Sequence, residues 1–167
     1  MNMNLSFNFV VDKERQTITV TREFAAPLPL VWEAYTKADI LDQWWAPKPW
    51  KARTKRMDFR EGGEWLYAMV GPAGEEHWAV ATYSNIIPQQ KFTGTDSFTD
   101  ANGQVNPQMP QSKWDVLFNN KGQHTLVQFK ITYPDLAQLE TTIQMGFKEG
   151  LSMAMENLDA LLPELKA

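Results

Sequence analysis

Beyond Tyr133-Pro134 the hydrophobic period of the chain changes, and that change limits the fold more than any other feature. Leu139, Ile143, Phe147, Leu151, Ala154, Leu158 and Leu162 recur at intervals of three or four, the spacing of one apolar face of a helix. Asp135, followed three residues later by Gln138, has the form of a capping box with Asp in place of Ser or Thr. A helix running from there to about Leu162 would reach roughly 40 Å at ~1.5 Å per residue. Thr141, Thr142, Gly146 and Gly150 are weak helix formers, so a break or kink is expected near Gly146. A single apolar stripe of this length needs a broad surface to bury against.

The preceding sequence supplies that surface. Ile18, Val20 and Arg22 alternate with Thr17, Thr19 and Thr21, the period of a half-buried strand. A second β-prone run over 5–11 lies across the polar stretch 12–16, which predicts a hairpin. Pro27 opens a helix in which Leu28, Val31, Trp32 and Tyr35 share a face. A second short helix runs from Asp39 to Trp44 or Trp45, and Pro47 and Pro49 forbid its continuation. Strand patterns then dominate over 53–59, 65–70, 77–87, 91–98, 113–118 and 125–132. They are punctuated by Glu61-Gly62-Gly63, Gly71-Pro72-Ala73-Gly74, Pro88, a loop over 100–110 and a turn over 119–123. Successive strands on short turns favour an antiparallel meander over βαβ units. The expected architecture is α+β: a curved antiparallel sheet wrapped around a long C-terminal helix, with two short N-terminal helices, in one domain over residues 1–167.

A curved sheet cannot touch a straight helix everywhere, so a gap between them is expected. The residues placed to wall it are bulky and adaptable: Trp65, Tyr67, Met69, Trp78, Tyr83, Trp114, Met145, Met153 and Met155, with Trp45, Phe147 and Leu151 beside them. Trp and Tyr bring an apolar body with a polar tip, and Met refits easily. Such a lining suits an apolar ligand with few polar handles, although for any single residue ordinary core packing is the commoner role. Trp44, Trp45 and Trp50, in a Pro-rich segment, read as core, cavity lid or interface.

Composition closes off several functions. The 167 residues contain no cysteine, which excludes disulfides and thiolate metal sites. The net charge of -4 argues against non-specific binding to nucleic acid or to an anionic membrane. Lys51, Arg53, Lys55 and Arg56 fall close together, but strand alternation would spread them over both faces as a solvated edge. No stretch approaches the roughly 20 apolar residues of a membrane span, and the first ten residues lack the pattern of a signal peptide. The reading is cytoplasmic by elimination.

Catalytic chemistry has little to stand on. His77 and His124 are the two histidines, and neither sits in a metal-binding spacing. No Gly-x-Ser-x-Gly elbow occurs, and the glycine pairs are turns rather than phosphate loops. The acids at strand ends, Asp58, Glu61, Glu64 and Glu76, read first as solvated groups. Asp58, Glu64 and His77 are the candidates for acid-base work, with Asp58 also placed to accept backbone hydrogen bonds at the Gly-Gly turn. No cofactor and no metal are expected.

Six segments in order carry a family likeness. Arg22-Glu23-Phe24-Ala25-Ala26-Pro27 precedes Val31-Trp32-Glu33-Ala34. Then come Gln43-Trp44-Trp45-Ala46-Pro47, Asp58-Phe59-Arg60-Glu61-Gly62-Gly63-Glu64-Trp65, Gly71-Pro72-Ala73-Gly74, Tyr83-Ser84-Asn85-Ile86-Ile87-Pro88, and Gly146-Phe147-Lys148-Glu149-Gly150 with Leu158, Leu161 and Leu162. Together they resemble the START-like superfamily with the helix-grip fold (the SRPBCC class). Within it the chain is similar to the group related to the C-terminal domain of the activator of the ninety-kilodalton heat-shock chaperone's ATPase. Ala46 and Ala81 stand where glycine is usual in that group. The likeness implies a sheet around a long helix with a cavity between. It leaves three functional expectations: a carrier of an apolar or amphipathic small molecule, a chaperone-associated regulator, or a cyclase or hydrolase acting in the cavity. A homodimer is expected without a sequence signature behind it.

Overall fold

The computed structural model describes residues 7–165. Two strands, β1 (Phe7–Asp12) and β2 (Thr17–Phe24), lead into helices α1 (Leu28–Thr36) and α2 (Ala38–Trp44). Six strands follow: β3 (Lys51–Met57), β4 (Glu64–Val70), β5 (Glu76–Ile87), β6 (Lys91–Thr99), β7 (Gln111–Lys121) and β8 (His124–Thr132). The chain then ends in α3 (Leu136–Gln144) and α4 (Phe147–Leu165). All strands belong to one curved antiparallel sheet in the order β1-β2-β8-β7-β6-β5-β4-β3. This is the helix-grip α+β architecture. The N-terminal hairpin pairs with the last strand, so the meander from β3 to β8 is closed against the start of the chain rather than left as a free ladder. The first residues of the hairpin predicted over 5–11 lie outside the described residues.

Side-chain alternation decides which face of each strand turns inward. In β2 the interior row is Ile18, Val20, Arg22 and Phe24, all buried, while Thr19, Thr21 and Glu23 are only partly so. In β8 the buried row is Thr125, Val127, Phe129 and Ile131. α1 buries Val31, Ala34 and Tyr35 on that surface, and α2 buries Ile40, Leu41 and Trp44. The indole N–H of Trp44 donates to the carbonyl of Ala34 at 2.9 Å, which satisfies its polar tip inside the core.

The long C-terminal helix is two helices. Asp135 caps α3, its Oδ1 accepting from the Gln138 backbone N–H at 2.9 Å. Gln138 does not complete a reciprocal capping box; its Oε1 accepts the Gln111 backbone N–H at 2.8 Å and ties the helix start to β7. Gly146 then stands at φ +85° between the helices, a backbone state that glycine adopts without the Cβ clash other residues meet. The apolar stripe therefore does not run straight for 40 Å. α4 alone crosses the sheet, burying Leu151, Ala154, Met155, Leu158, Leu161 and Leu162. Asn157 on α4 donates to the carbonyl of Ala46, just past α2, at 3.0 Å and to that of Trp44, left unpaired at the end of α2, at 3.4 Å.

At one end this interior is filled. Trp32 meets Phe118 at 4.9 Å between ring centroids and Phe59 at 5.8 Å, and Tyr35 meets Trp44 at 5.0 Å and Phe118 at 5.4 Å. These are edge-to-face contacts, the geometry that aromatic quadrupoles favour. At the other end the break at Gly146 turns α3 away from the line of α4, and the sheet and helices separate.

Candidate functional site

Two connected hollows occupy that separation. The inner one holds about 60 Å³ and the outer one about 350 Å³. Trp45, Tyr67, Asp96 and Trp114 line both and form the throat between them. The strands supply their inward rows: Trp65, Tyr67 and Met69 from β4, His77, Ala79, Ala81 and Tyr83 from β5, Gly94, Asp96 and Phe98 from β6, and Trp114 from β7. The small side chains of Ala79, Ala81 and Gly94 are what leave the space. Thr142, Met145, Gly146, Phe147, Gly150 and Leu151 form the helical wall, and Pro47 and Trp50 the rim.

The aromatic walls are locked to one another. Trp65 stacks on Tyr67 with centroids 3.9 Å apart, and its indole N–H donates to Thr54 Oγ1 at 2.9 Å. Trp45 lies 6.0 Å from Trp114 and donates its N–H to the Tyr67 hydroxyl at 3.1 Å. That hydroxyl oxygen therefore acts as an acceptor towards Trp45 and keeps its own proton to donate. Burial holds the Tyr67 phenol well above the usual tyrosine range, with the nearby Asp96 carboxylate pushing the same way. Trp114 meets Phe147 of α4 at 5.8 Å, so the helical wall is anchored on the same ring.

Asp96 is the polar group that the sequence reading missed. It is half-buried, and among the described residues none donates a hydrogen bond to its carboxyl. Burial among the aromatic rings disfavours its charged form and pushes the carboxyl up to about 7. Its signal was in the strand pattern. In Lys91–Thr99 the row Phe92, Gly94, Asp96, Phe98 alternates with Thr93, Thr95, Ser97, Thr99, so an acid shares the face of two phenylalanines.

The other expected residues fall into four places. Trp45, Trp65, Tyr67, Met69, Tyr83, Trp114, Met145, Phe147 and Leu151 stand around the two hollows. Trp78 does not: it lies on the opposite face of the sheet, with Arg53 at 5.7 Å and Lys55 at 5.8 Å from its ring. It alternates with His77 and Ala79, and one strand cannot present adjacent residues to the same side. Met155 is core at 0% exposure, and Met153 faces out at 42%. Of the Trp-rich segment, Trp44 is core, Trp45 wall and Trp50 rim.

The acids at the strand ends are engaged elsewhere. Asp58 pairs with Arg60, Glu64 with Arg56 at 2.8 Å, and Glu76 with Arg53 at 2.8 Å, all exposed. The Glu76 carboxyl is held below its ordinary range by the hydrogen bond from Arg53 and then by that from Trp78. Glu61 accepts the backbone N–H groups of Asn85 and Ile86 and so fixes the irregular end of β5. Of Asp58, Glu64 and His77, only His77 reaches the outer hollow, where its ring lies 5.3 Å from Trp50. Among the described residues no three potential ligands gather to hold a metal, and no helix is long and apolar enough to cross a membrane.

The family model described as Activator of Hsp90 ATPase homolog 1-like protein matches residues 25–163. Among solved structures, protein Ms6760 from Mycobacterium smegmatis is 30% identical, with a TM-score of 0.86 over 95% of this chain and 96% of that one. A protein from Arthrobacter aurescens is 25% identical, with a TM-score of 0.88 over 94% and 91%. Protein NE0264 from Nitrosomonas europaea is also 25% identical, with a TM-score of 0.79 over 93% and 99%. No curated protein matches the sequence.

Proposed function

The chain belongs to the Activator of Hsp90 ATPase homolog 1-like family, within the START-like superfamily, and on that premise we propose that it binds an apolar or amphipathic small molecule between its sheet and its C-terminal helices. The observation that carries this reading is the outer hollow. At about 350 Å³ it falls within the range of small-molecule sites, and its lining has their character: mostly apolar and aromatic, with a few polar groups converging on one place. The rings that wall it are held by their own contacts, so little ordering cost is left for a ligand to offset.

Tryptophan fluorescence tests the reading directly, because Trp45 and Trp114 stand in the wall. Titration with fatty acids, alkylated aromatics and aromatic polyketides is expected to give saturable quenching for at least one class. Ala79→Leu, which adds volume inside the outer hollow, is expected to weaken that binding at least about tenfold, since the added side chain competes for the same space. Absence of saturable quenching up to roughly millimolar ligand, near the weak end of specific binding, would overturn the proposal.

A further inference from the structure

We propose that the throat of this cavity is a subsite for a cation: the Asp96 carboxylate receives the protonated nitrogen of an amphipathic amine, whose apolar body lies against Trp45, Trp114 and Phe147. This rests on the small-molecule reading above and adds the ligand's chemical class to it.

The argument begins with what surrounds the acid. A carboxylate placed in an apolar setting ordinarily has a counterion or several donors. Among the described residues no Arg or Lys lines either hollow, and none donates to Asp96. Its neighbours across the ladder are Ala81 on β5 and Ser112 on β7, and the Ser112 hydroxyl accepts from the Trp114 indole N–H at 2.9 Å. Three aromatic residues share the throat with it, Trp45, Tyr67 and Trp114. The faces of such rings carry negative potential and attract cations, more strongly when desolvated. One acid and a set of aromatic faces thus act with the same sign, and both favour an ammonium group. A fatty acid would bring a second carboxylate to the first, which is unfavourable.

The titratable groups around Asp96 are Tyr35 from α1, Tyr67 from β4, His77 and Tyr83 from β5, and Tyr133 beyond β8. Burial raises all four tyrosines, Tyr133 to about 12, so each is neutral near pH 7. The lining parts of α3 and α4 contribute no titratable group. Since the empty-site carboxyl titrates near 7, an amine that meets it as the ionised form has its affinity rise with pH up to about 8 and level off there.

Three probes of ten carbons test this: 4-phenylbutylamine, 4-phenylbutan-1-ol and 4-phenylbutanoic acid, each titrated by calorimetry at pH 8 and pH 6. The expected order at pH 8 is amine, then alcohol, then acid, with about tenfold between amine and alcohol, the scale of one charge-assisted hydrogen bond. The amine's advantage is expected to shrink at pH 6. Asp96→Asn is expected to remove the advantage, so that amine and alcohol bind alike, whereas His77→Gln is expected to keep the amine ahead of the alcohol. Equal binding of all three probes, or an amine preference that survives in D96N, would overturn the cation subsite while leaving the cavity reading intact. If none of the three binds, the cation subsite fails, and the cavity reading is then decided by the quenching titration alone.

Discussion

Asp159, at the packed end of the core, and Asp96, in the throat of the cavity, are both half-buried acids held above the ordinary carboxylate range by burial. Their partners differ. Asp159 on α4 pairs with Arg22 of β2, whose side chain is itself buried and lies over the Phe24 ring at 4.9 Å. Asp96 has no such partner. The guanidinium opposes the effect of burial on Asp159 without overcoming it. Even the paired acid is therefore a group the interior does not favour as an ion. What the pair does is join the sheet to the helix at one defined place. The unpaired acid joins nothing, and it sits where the fold has left room. The difference separates a residue that fixes the structure from one left free to meet a ligand.

The comparison is broken most severely at Arg22. Arg22→Met removes the counterion and leaves the Asp159 carboxylate, one oxygen of which is already buried without a hydrogen-bond partner, with no compensation. A loss of about 3–5 kcal/mol in unfolding free energy is expected, measured by urea denaturation. The double variant R22M/D159L should regain most of it, because removing both charges removes the penalty. A loss below about 1 kcal/mol would place Arg22 among ordinary surface pairs, and the contrast with Asp96 would vanish.

The reverse is expected at Asp96, where removing the charge should help. Its folded carboxyl titrates near 7 against 3.8 in the unfolded chain, so the native state holds the proton more tightly. Below about pH 4 both states are protonated and nothing is lost. As pH rises towards 7 the unfolded state releases its proton first, and stability falls; above 7 the loss is complete. About 3 pH units correspond to about 4 kcal/mol as an upper bound. Asp96→Asn keeps a polar group in place, so a gain of about 2 kcal/mol at pH 8 is expected, shrinking to nothing near pH 4. Subtracting the variant's stability curve from that of the parent isolates this residue from every other titrating group of the chain. A difference curve flat in pH would show that Asp96 is solvated and unlike Asp159 in kind.

Most of the fold could be read because it rests on period. The alternation in Thr17–Phe24, the prolines bounding α1 and α2, and the change of period after Tyr133-Pro134 each dictate a local structure, and the meander follows from the turns. Where period was applied only loosely, the site went wrong. Trp78 and Tyr83 lie on one strand at positions of opposite parity, so size alone could not put both in one wall. Asp96 was passed over because its strand was read as an element and not face by face, although an acid in line with Phe92 and Phe98 was there to be seen. The cavity's volume could not be read at all, since it depends on which residues the register sets across from one another, as it sets small Ala81 opposite Asp96 and Gly94 opposite Tyr83. The break in the helix was legible in its weak formers rather than in the period: a stripe can continue in register across a break, and Ile143 and Phe147 remain on one surface although Gly146 interrupts the backbone between them.

That break yields the smallest and cleanest test, because two glycines four residues apart should respond with opposite sign. Both Gly146 and Gly150 line the outer hollow, so either substitution by alanine adds the same methyl to the same wall. At Gly146 a new Cβ would find its nearest neighbour, Glu149 Oε1, at 3.9 Å, so no clash arises. The cost comes from φ +85°, and about 1 kcal/mol of lost stability is expected. At Gly150, inside α4, a Cβ would meet Pro47 Cγ at 3.7 Å, an ordinary contact, and the gain in helix propensity is expected to raise stability by about 0.5–1 kcal/mol. Thermal unfolding of G146A and G150A reads both as shifts of a few degrees in Tm, in opposite directions. If G146A raised the Tm as well, α3 and α4 would be one continuous helix in solution. Because Gly146 itself lines the outer hollow, the sign of this one substitution also tests the broken course of the helical wall there.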